Sequence, residues 1–93
     1  MSLEPRDKQD LRFACLRALY KRPRIAFEPQ QIATFLHRDI PFGFSIADVS
    51  DALSYIEELE LAELIEDPMG AGSLYFKISV KGQQDYERRL QTT

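Results

Sequence analysis

The sequence predicts a mainly α-helical domain with one small β-hairpin, in the order helix, short strand, helix, helix, strand, strand, helix. Apolar residues recur at helical spacing in the first two thirds of the chain, and two β-prone runs flank a cluster of turn residues near its end. The chain has 93 residues, 44% of them hydrophobic and 29% charged. We therefore expect one globular domain over residues 1–93, with its core between about 10 and 90.

Two prolines bound the first helix. Pro5 suits the first turn of a helix and Pro23 ends one, which predicts a helix from about Pro5 to Lys21. Its apolar residues fall on two opposite faces, Leu11, Ala14, Cys15 and Ala18 on one and Phe13, Leu16 and Tyr20 on the other. A helix that is apolar on two faces is buried on both or takes part in a subunit contact.

The next two elements follow from turn residues. The run from Arg24 to Phe27 is short and β-compatible, and Glu28 with Pro29 predicts the start of a second helix. That helix is expected to end near Arg38, because a proline and a glycine follow within five residues.

A third helix is predicted from about Ile46 to Leu59. Ser45 and Asp48 have the spacing of a capping box, which marks a helix start. The apolar residues then recur every three or four positions, at Ile46, Val49, Leu53 and Ile56.

The hairpin and the last helix complete the chain. Ala62–Glu66 and Leu74–Val80 are β-prone, and the proline and glycines of Asp67–Ser73 between them are typical of a turn. Gly82 ends the second strand, and Gln83–Gln91 is predicted to form a short helix.

The element order, together with three runs of residues, resembles the winged helix-turn-helix superfamily of bacterial transcription regulators. The runs are SIADVSDAL from Ser45 to Leu53, LIE from Leu64 to Glu66, and YFKISVKG from Tyr75 to Gly82. In this superfamily a Ser-capped recognition helix precedes a hairpin wing whose last strand often ends in a hydroxyl residue, two further residues and glycine. The resemblance covers about residues 10–90 and implies that the third helix enters the major groove while the wing touches the DNA backbone or minor groove.

The distribution of charge argues against that docking. Residues 1–38 have a charge balance of +4, whereas residues 39–76 contain no Lys or Arg and have a balance of −9; residues 77–93 return to +2. An acidic block repels phosphate. The predicted wing tip has no cation: Met69, Gly70, Ala71, Gly72 and Ser73. Three of the six outward residues of the third helix are carboxylates, and none is a cation: Ala47, Asp48, Asp51, Ser54, Tyr55 and Glu58.

These observations lead to one favoured function and one alternative. We predict a non-enzymatic interaction module whose third helix binds a protein partner through Asp48, Asp51, Ser54, Tyr55 and Glu58. The alternative is a DNA-binding transcriptional regulator that uses the basic N-terminal half and the edge of the wing, at Arg22, Arg24, Arg38, Lys77 and Lys81.

The second apolar stripe of the first helix also leaves two alternatives. Phe13, Leu16 and Tyr20 either form a dimer contact together with Tyr86 and Leu90 of the last helix, or pack under Tyr86 and Leu90 in the same chain. We expect a homodimer formed through the first and last helices.

The residues do not support an enzyme, a cofactor or a metal site. Cys15 lies on an inward helix face and His37 is the single histidine, so neither has a partner at metal-ligand or catalytic spacing. The carboxylates between 57 and 67 lack the spacing of a calcium loop. No apolar run is long enough to span a bilayer, and the N-terminus has no signal-peptide pattern, so we expect a cytoplasmic protein without a membrane partner.

Overall fold

In the computed structural model, which describes residues 3–67 and 72–91, the elements follow the predicted order. They are α1 (Pro5–Lys21), α2 (Pro29–Leu36), α3 (Ile46–Glu58), β1 (Ala62–Glu66), β2 (Leu74–Ile78) and α4 (Val80–Gln91). The two strands pair antiparallel, with Leu64 opposite Phe76 at the centre of the register. A mainly α-helical fold with a β-hairpin is therefore confirmed. Met69, Gly70 and Ala71 of the predicted wing tip lie outside the described residues.

Three element boundaries differ from the predictions. The strand predicted over residues 24–27 is reduced to one bridge, in which Phe27 and Phe76 exchange both backbone hydrogen bonds at 2.9 and 2.8 Å. The second helix ends at Leu36, and Asp39 then donates a backbone hydrogen bond to the Leu36 carbonyl in a tight turn.

The third difference is at α4, which begins at Val80 and takes this residue from the predicted strand. Ser79 explains the early start, because its Oγ accepts a hydrogen bond from the Gly82 N–H at 2.9 Å and caps the helix. The same hydroxyl donates to the Glu60 carbonyl at 2.6 Å, which ties the helix start to the turn after α3.

Gly82 has a packing role at this junction. A Cβ added there would clash with the Leu61 carbonyl oxygen and would lie 2.9 Å from the Ile78 Cγ1 atom. The spacing of a hydroxyl residue, two further residues and glycine is thus needed to bring α4 against the start of β1.

The start of α3 is fixed by the predicted capping box. Ser45 Oγ accepts from the Asp48 N–H at 3.1 Å, and the Asp48 carboxylate accepts from the Ser45 N–H at 2.8 Å. Both bonds satisfy backbone donors that no helical carbonyl can reach.

The core forms around α1, which packs against α2, α3, α4 and β2. Leu19, Ile32, Leu53 and Ile78 are fully buried and come from four different elements. This central position explains why α1 is apolar on two faces: neighbours of the same chain cover one face and part of the other, on which Phe13 stays 37% exposed.

Candidate functional site

The outward face of α3 carries the negative charge that the sequence predicts. Asp51, Ser54 and Glu58 are exposed, and no lysine or arginine occurs anywhere on this helix. Phosphate groups would be repelled from this face.

Two other residues assigned to that face are engaged within the chain. The Arg12 guanidinium lies 3.6 Å from the centroid of the Tyr55 ring, in a cation–π contact between α1 and α3. Asp48 is half-buried and occupied by the capping box. Tyr55 nevertheless keeps 41% exposure, so the use of Tyr55 and Asp48 in partner binding stays a prediction.

Two cations of α1 lie next to the acids of α3. Lys8 and Arg12 line the same shallow pocket as Asp48 and Asp51. The negative potential at the start of α3 is consequently weaker than the count of carboxylates in residues 39–76 indicates.

A cleft of about 430 Å³ opens between the C-terminal half of α1 and the end of α2. We call it the basic cleft, because four of its lining residues are cations and one is a carboxylate. Its polar lining residues are Arg17, Lys21, Arg22, Thr34, Arg38 and Asp39, and its apolar ones are Ala14, Ala18 and Phe35.

Within residues 3–67 and 72–91, one cation of the basic cleft forms an ion pair. Arg17 lies 3.5 Å from the Asp39 carboxylate, whereas no carboxylate of residues 3–67 and 72–91 lies within salt-bridge distance of Lys21, Arg22 or Arg38. Three positive charges are therefore uncompensated locally, on side chains that are all exposed.

Phe35 forms an aromatic wall of the basic cleft. Its ring is 37% exposed and meets the buried Phe27 ring edge-on, with 5.4 Å between the centroids. The Arg22 guanidinium lies 5.4 Å from the centroid of the same ring. The Phe35 ring is therefore in contact with a buried aromatic ring of the core, and a guanidinium lies over it.

The cations predicted as an alternative DNA-binding set do not all lie together. Arg22 and Arg38 line the basic cleft. Lys77 stands opposite Glu63 in the hairpin register, and Lys81 lies 3.7 Å from the Glu60 carboxylate. The edge of the wing is therefore locally neutral, while Arg24 is exposed just after α1.

The alternative DNA-binding set predicted from the sequence does not include Arg17 and Lys21. A signal for them exists, since they form the polar strip of an otherwise apolar helix. Their proximity to Arg38 depends on how α1 packs against α2. The spacing of residues within either helix does not predict this packing.

Some of the residues predicted for dimerisation are buried in contacts within the same chain. The Tyr86 ring packs against Phe13 and Tyr20, with centroid distances of 5.5 and 4.4 Å. Leu16 and Tyr86 are 2% and 6% exposed, so their assignment to an intermolecular surface is corrected: α4 folds onto this stripe of α1. Phe13 and Leu90 keep substantial exposure.

A second groove, of about 400 Å³, runs between α1, the end of α3 and α4. Phe13, Tyr55 and Leu59 contribute exposed apolar surface to it, beside Arg12. Leu59 was not among the predicted site residues, because it follows the last turn of α3 and reads as a helix end.

Two titratable side chains have shifted pKa values. Burial raises the pKa of the Cys15 thiol to about 12, from 9.0. The hydrogen bond between Tyr75 and the Glu28 carboxylate, together with the charge of that carboxylate, raises the pKa of Tyr75.

Neither a metal cluster nor a membrane span occurs in the described ranges. Residues 3–67 and 72–91 contain no group of three histidine, cysteine or carboxylate side chains that could hold a metal ion. In the same ranges, no helix has the length and apolar character needed to cross a bilayer.

Comparison with known proteins places this fold in a class. No family model matches the sequence, and no curated protein matches it significantly. Solved structures do match: a mutant of Lactococcus lactis ZitR in apo form has a TM-score of 0.69 at 17% identity over 94% of this chain. A PadR family transcription regulator from Clostridium difficile has a TM-score of 0.67 at 16% identity over 88% of this chain.

A PadR-like transcription factor from Bacteroides fragilis is similar as well, with a TM-score of 0.68 at 16% identity over 91% of this chain. The chain spans 59% of the length of the ZitR structure and 84% and 81% of the two PadR structures. At such identities the likeness defines the fold alone. The chain has the winged-helix fold, which confirms the fold implied by the resemblance over residues 10–90.

Proposed function

We propose that the chain is a non-enzymatic, DNA-binding transcriptional regulator that contacts DNA phosphates through the basic cleft. The observation that carries the proposal is the concentration of Arg17, Lys21, Arg22 and Arg38 in one cleft with a single carboxylate. The winged-helix fold, shared with a transcription regulator and a transcription factor of the PadR type, supports it. This is the alternative of the two functions predicted from the sequence.

The electrostatics favour the cleft over α3 as the phosphate-binding surface. Each phosphate neutralised by a cation releases condensed counterions, and this gain dominates non-specific DNA binding. Lys21, Arg22 and Arg38 provide three cations without an ion pair in the described part of the chain, whereas Asp51 and Glu58 on α3 would repel the duplex.

The absence of a catalytic step is part of the proposal. Cys15 is the single thiol of the chain, and at 0% exposure with a pKa of about 12 it stays protonated and shielded near neutral pH.

We further propose a homodimer that forms through α1 and α4. Phe13 and Leu90 are the predicted dimer residues with the largest exposure, 37% and 52%, and Phe13 borders the second groove with Leu59. Burial of this apolar surface against a second copy would stabilise association. Multi-angle light scattering over a range of concentrations tests it, and a monomer mass at every concentration would contradict it.

A protein partner on α3 is the second candidate function. The observation that favours it is the exposed group of Asp51, Ser54 and Glu58, which has no cation among its own helix residues. A basic partner would be attracted to this face.

The deciding experiment is fluorescence anisotropy of a labelled random duplex titrated with the protein at low and at physiological salt. Binding by the basic cleft is expected in the micromolar to sub-millimolar range and falls steeply as salt rises. Asp51→Lys and Glu58→Lys should strengthen duplex binding, because each removes a repulsive carboxylate. A flat trace at high protein concentration would refute the regulator and leave the acidic face of α3 as the working surface.

A further inference from the structure

The basic cleft combines two features that phosphate-backbone binding alone does not require. It has an exposed aromatic ring, Phe35, in addition to its cations. Phe27 contacts this ring edge-on from the core, and the Arg22 guanidinium lies over the ring, 5.4 Å from its centroid. A planar base that stacks on Phe35 takes the place of this guanidinium, which then turns toward a phosphate.

The charge of the basic cleft indicates the charge of its ligand. With Arg17 paired to Asp39, the lining has three further cations, Lys21, Arg22 and Arg38. A monocarboxylate would leave two of them unmatched, whereas a di- or triphosphate supplies several negative charges and many acceptor oxygens. Guanidinium groups bind phosphate in bidentate geometry, which favours a phosphorylated ligand.

The size of the cleft agrees with a small molecule. Its volume of about 430 Å³ falls within the range of small-molecule sites. The lining also has the two parts that a ligand with an apolar and an anionic end requires. Ala14, Ala18 and Phe35 provide the apolar part, and the four cations provide the polar part.

We propose that the basic cleft binds a nucleoside polyphosphate, with the base stacked on Phe35 and the phosphates held by Lys21, Arg22 and Arg38. Binding itself does not depend on the proposed function. One consequence does rest on it: because the same cations would contact the DNA backbone, the nucleotide competes with duplex and lowers its affinity for the protein.

The test is isothermal titration calorimetry of the full chain with three probes, in low salt and without divalent ions. The probes are ATP, adenosine, which keeps the ring but has no phosphates, and inorganic triphosphate, which has no ring. ATP is expected to bind about tenfold more tightly than triphosphate, since base stacking adds to the phosphate contacts. Adenosine is expected to bind more weakly than either.

Variants identify the cleft as the site. Arg22→Ala and Arg38→Ala should each weaken ATP binding about tenfold, the value of one charge-assisted hydrogen bond. Phe35→Leu should bring ATP down to the affinity of triphosphate and leave triphosphate unchanged. Arg88→Ala removes an exposed cation outside the cleft and should leave the affinity for ATP unchanged. Melting temperatures show whether each variant is folded, and the triphosphate titration serves as a second check for Phe35→Leu.

Two results would overturn the proposal: no heat with ATP at millimolar concentration, or equal affinity for ATP and triphosphate, which would make the cleft a plain phosphate site. The duplex titration distinguishes failure of the nucleotide-site proposal from failure of the regulator proposal. Binding of ATP without binding of duplex supports the nucleotide site and refutes the regulator, and binding of duplex without ATP does the reverse.

Discussion

Replacing Arg22 and Arg38 with alanine removes two of the three basic-cleft cations that have no salt-bridge partner in residues 3–67 and 72–91. Both side chains are exposed, Arg22 at the C-cap of α1 and Arg38 in the turn after α2. Surface positions of this kind change stability little. The double variant therefore tests the DNA contact and not the fold.

The magnitude follows from counterion release. Each phosphate contact contributes a slope of about −0.9 to the logarithm of the binding constant against the logarithm of salt concentration. Three contacts predict a slope of about −2.7 for the wild type, and one contact predicts about −0.9 for the double variant. Between about 50 and 200 mM salt, affinity should then fall about fortyfold for the wild type and about fourfold for the variant.

The assay is duplex anisotropy over a series of salt concentrations, with Arg6→Ala/Arg88→Ala as the matched control. The control also removes two exposed arginines that form no salt bridge within residues 3–67 and 72–91, but it leaves the cleft intact, so the total charge changes equally and the position differs. Its slope should stay near that of the wild type. Equal slopes for the two double variants would refute the assignment of phosphate contacts to the basic cleft.

Four further predictions concern the fold, the thiol and the assembly. Gly82→Ala should lower the free energy of unfolding by about 3 kcal/mol or more, because its Cβ meets the Leu61 carbonyl; urea unfolding measures it, and an unchanged midpoint contradicts the packing. Ser79→Ala should cost about 1 kcal/mol in the same assay, and Ser79→Thr should recover most of it, since both hydroxyls can cap α4. With its pKa raised by burial from 9.0 to about 12, Cys15 should resist a thiol reagent in native protein and react after unfolding; the free energy of unfolding is fully retained below 9.0 and falls as pH rises toward 12. Leu90→Glu should shift a dimer toward the monomer mass in light scattering, and a mass that does not change would contradict the α1–α4 contact.

Local chemistry made most helix boundaries predictable. Pro5, Pro29 and the capping box of Ser45 and Asp48 act within one turn of the residues that they cap, so the sequence around them contains the whole interaction. The start of α4 was not predictable in this way. Ser79 follows a β-prone run, and one of its bonds goes to the Glu60 carbonyl, 19 residues away.

The candidate sites depended more on tertiary packing. Helical periodicity assigns Tyr55 to the outside of α3, and only the placement of α1 beside it brings Arg12 onto the ring at 3.6 Å. Likewise, Phe35 and Arg38 become part of one cleft with Arg17 because α1 and α2 cross there. Periodicity within a helix describes which residues share a face, but not which face of another helix lies opposite.

The same reasoning explains why the charge counted along the chain overestimated the negative charge of the surface formed by residues 39–76. Residues 39–76 carry nine acids and no Lys or Arg, yet cations from both ends of the chain lie beside five of them. These neighbours are Arg17 with Asp39, Lys8 and Arg12 with Asp48 and Asp51, Lys81 with Glu60, and Lys77 with Glu63. Electrostatic energy depends on separation in space, so the acidic segment is partly compensated by the fold. The charge available for an anionic ligand is instead the part that remains unmatched, and that part is concentrated on Lys21, Arg22 and Arg38.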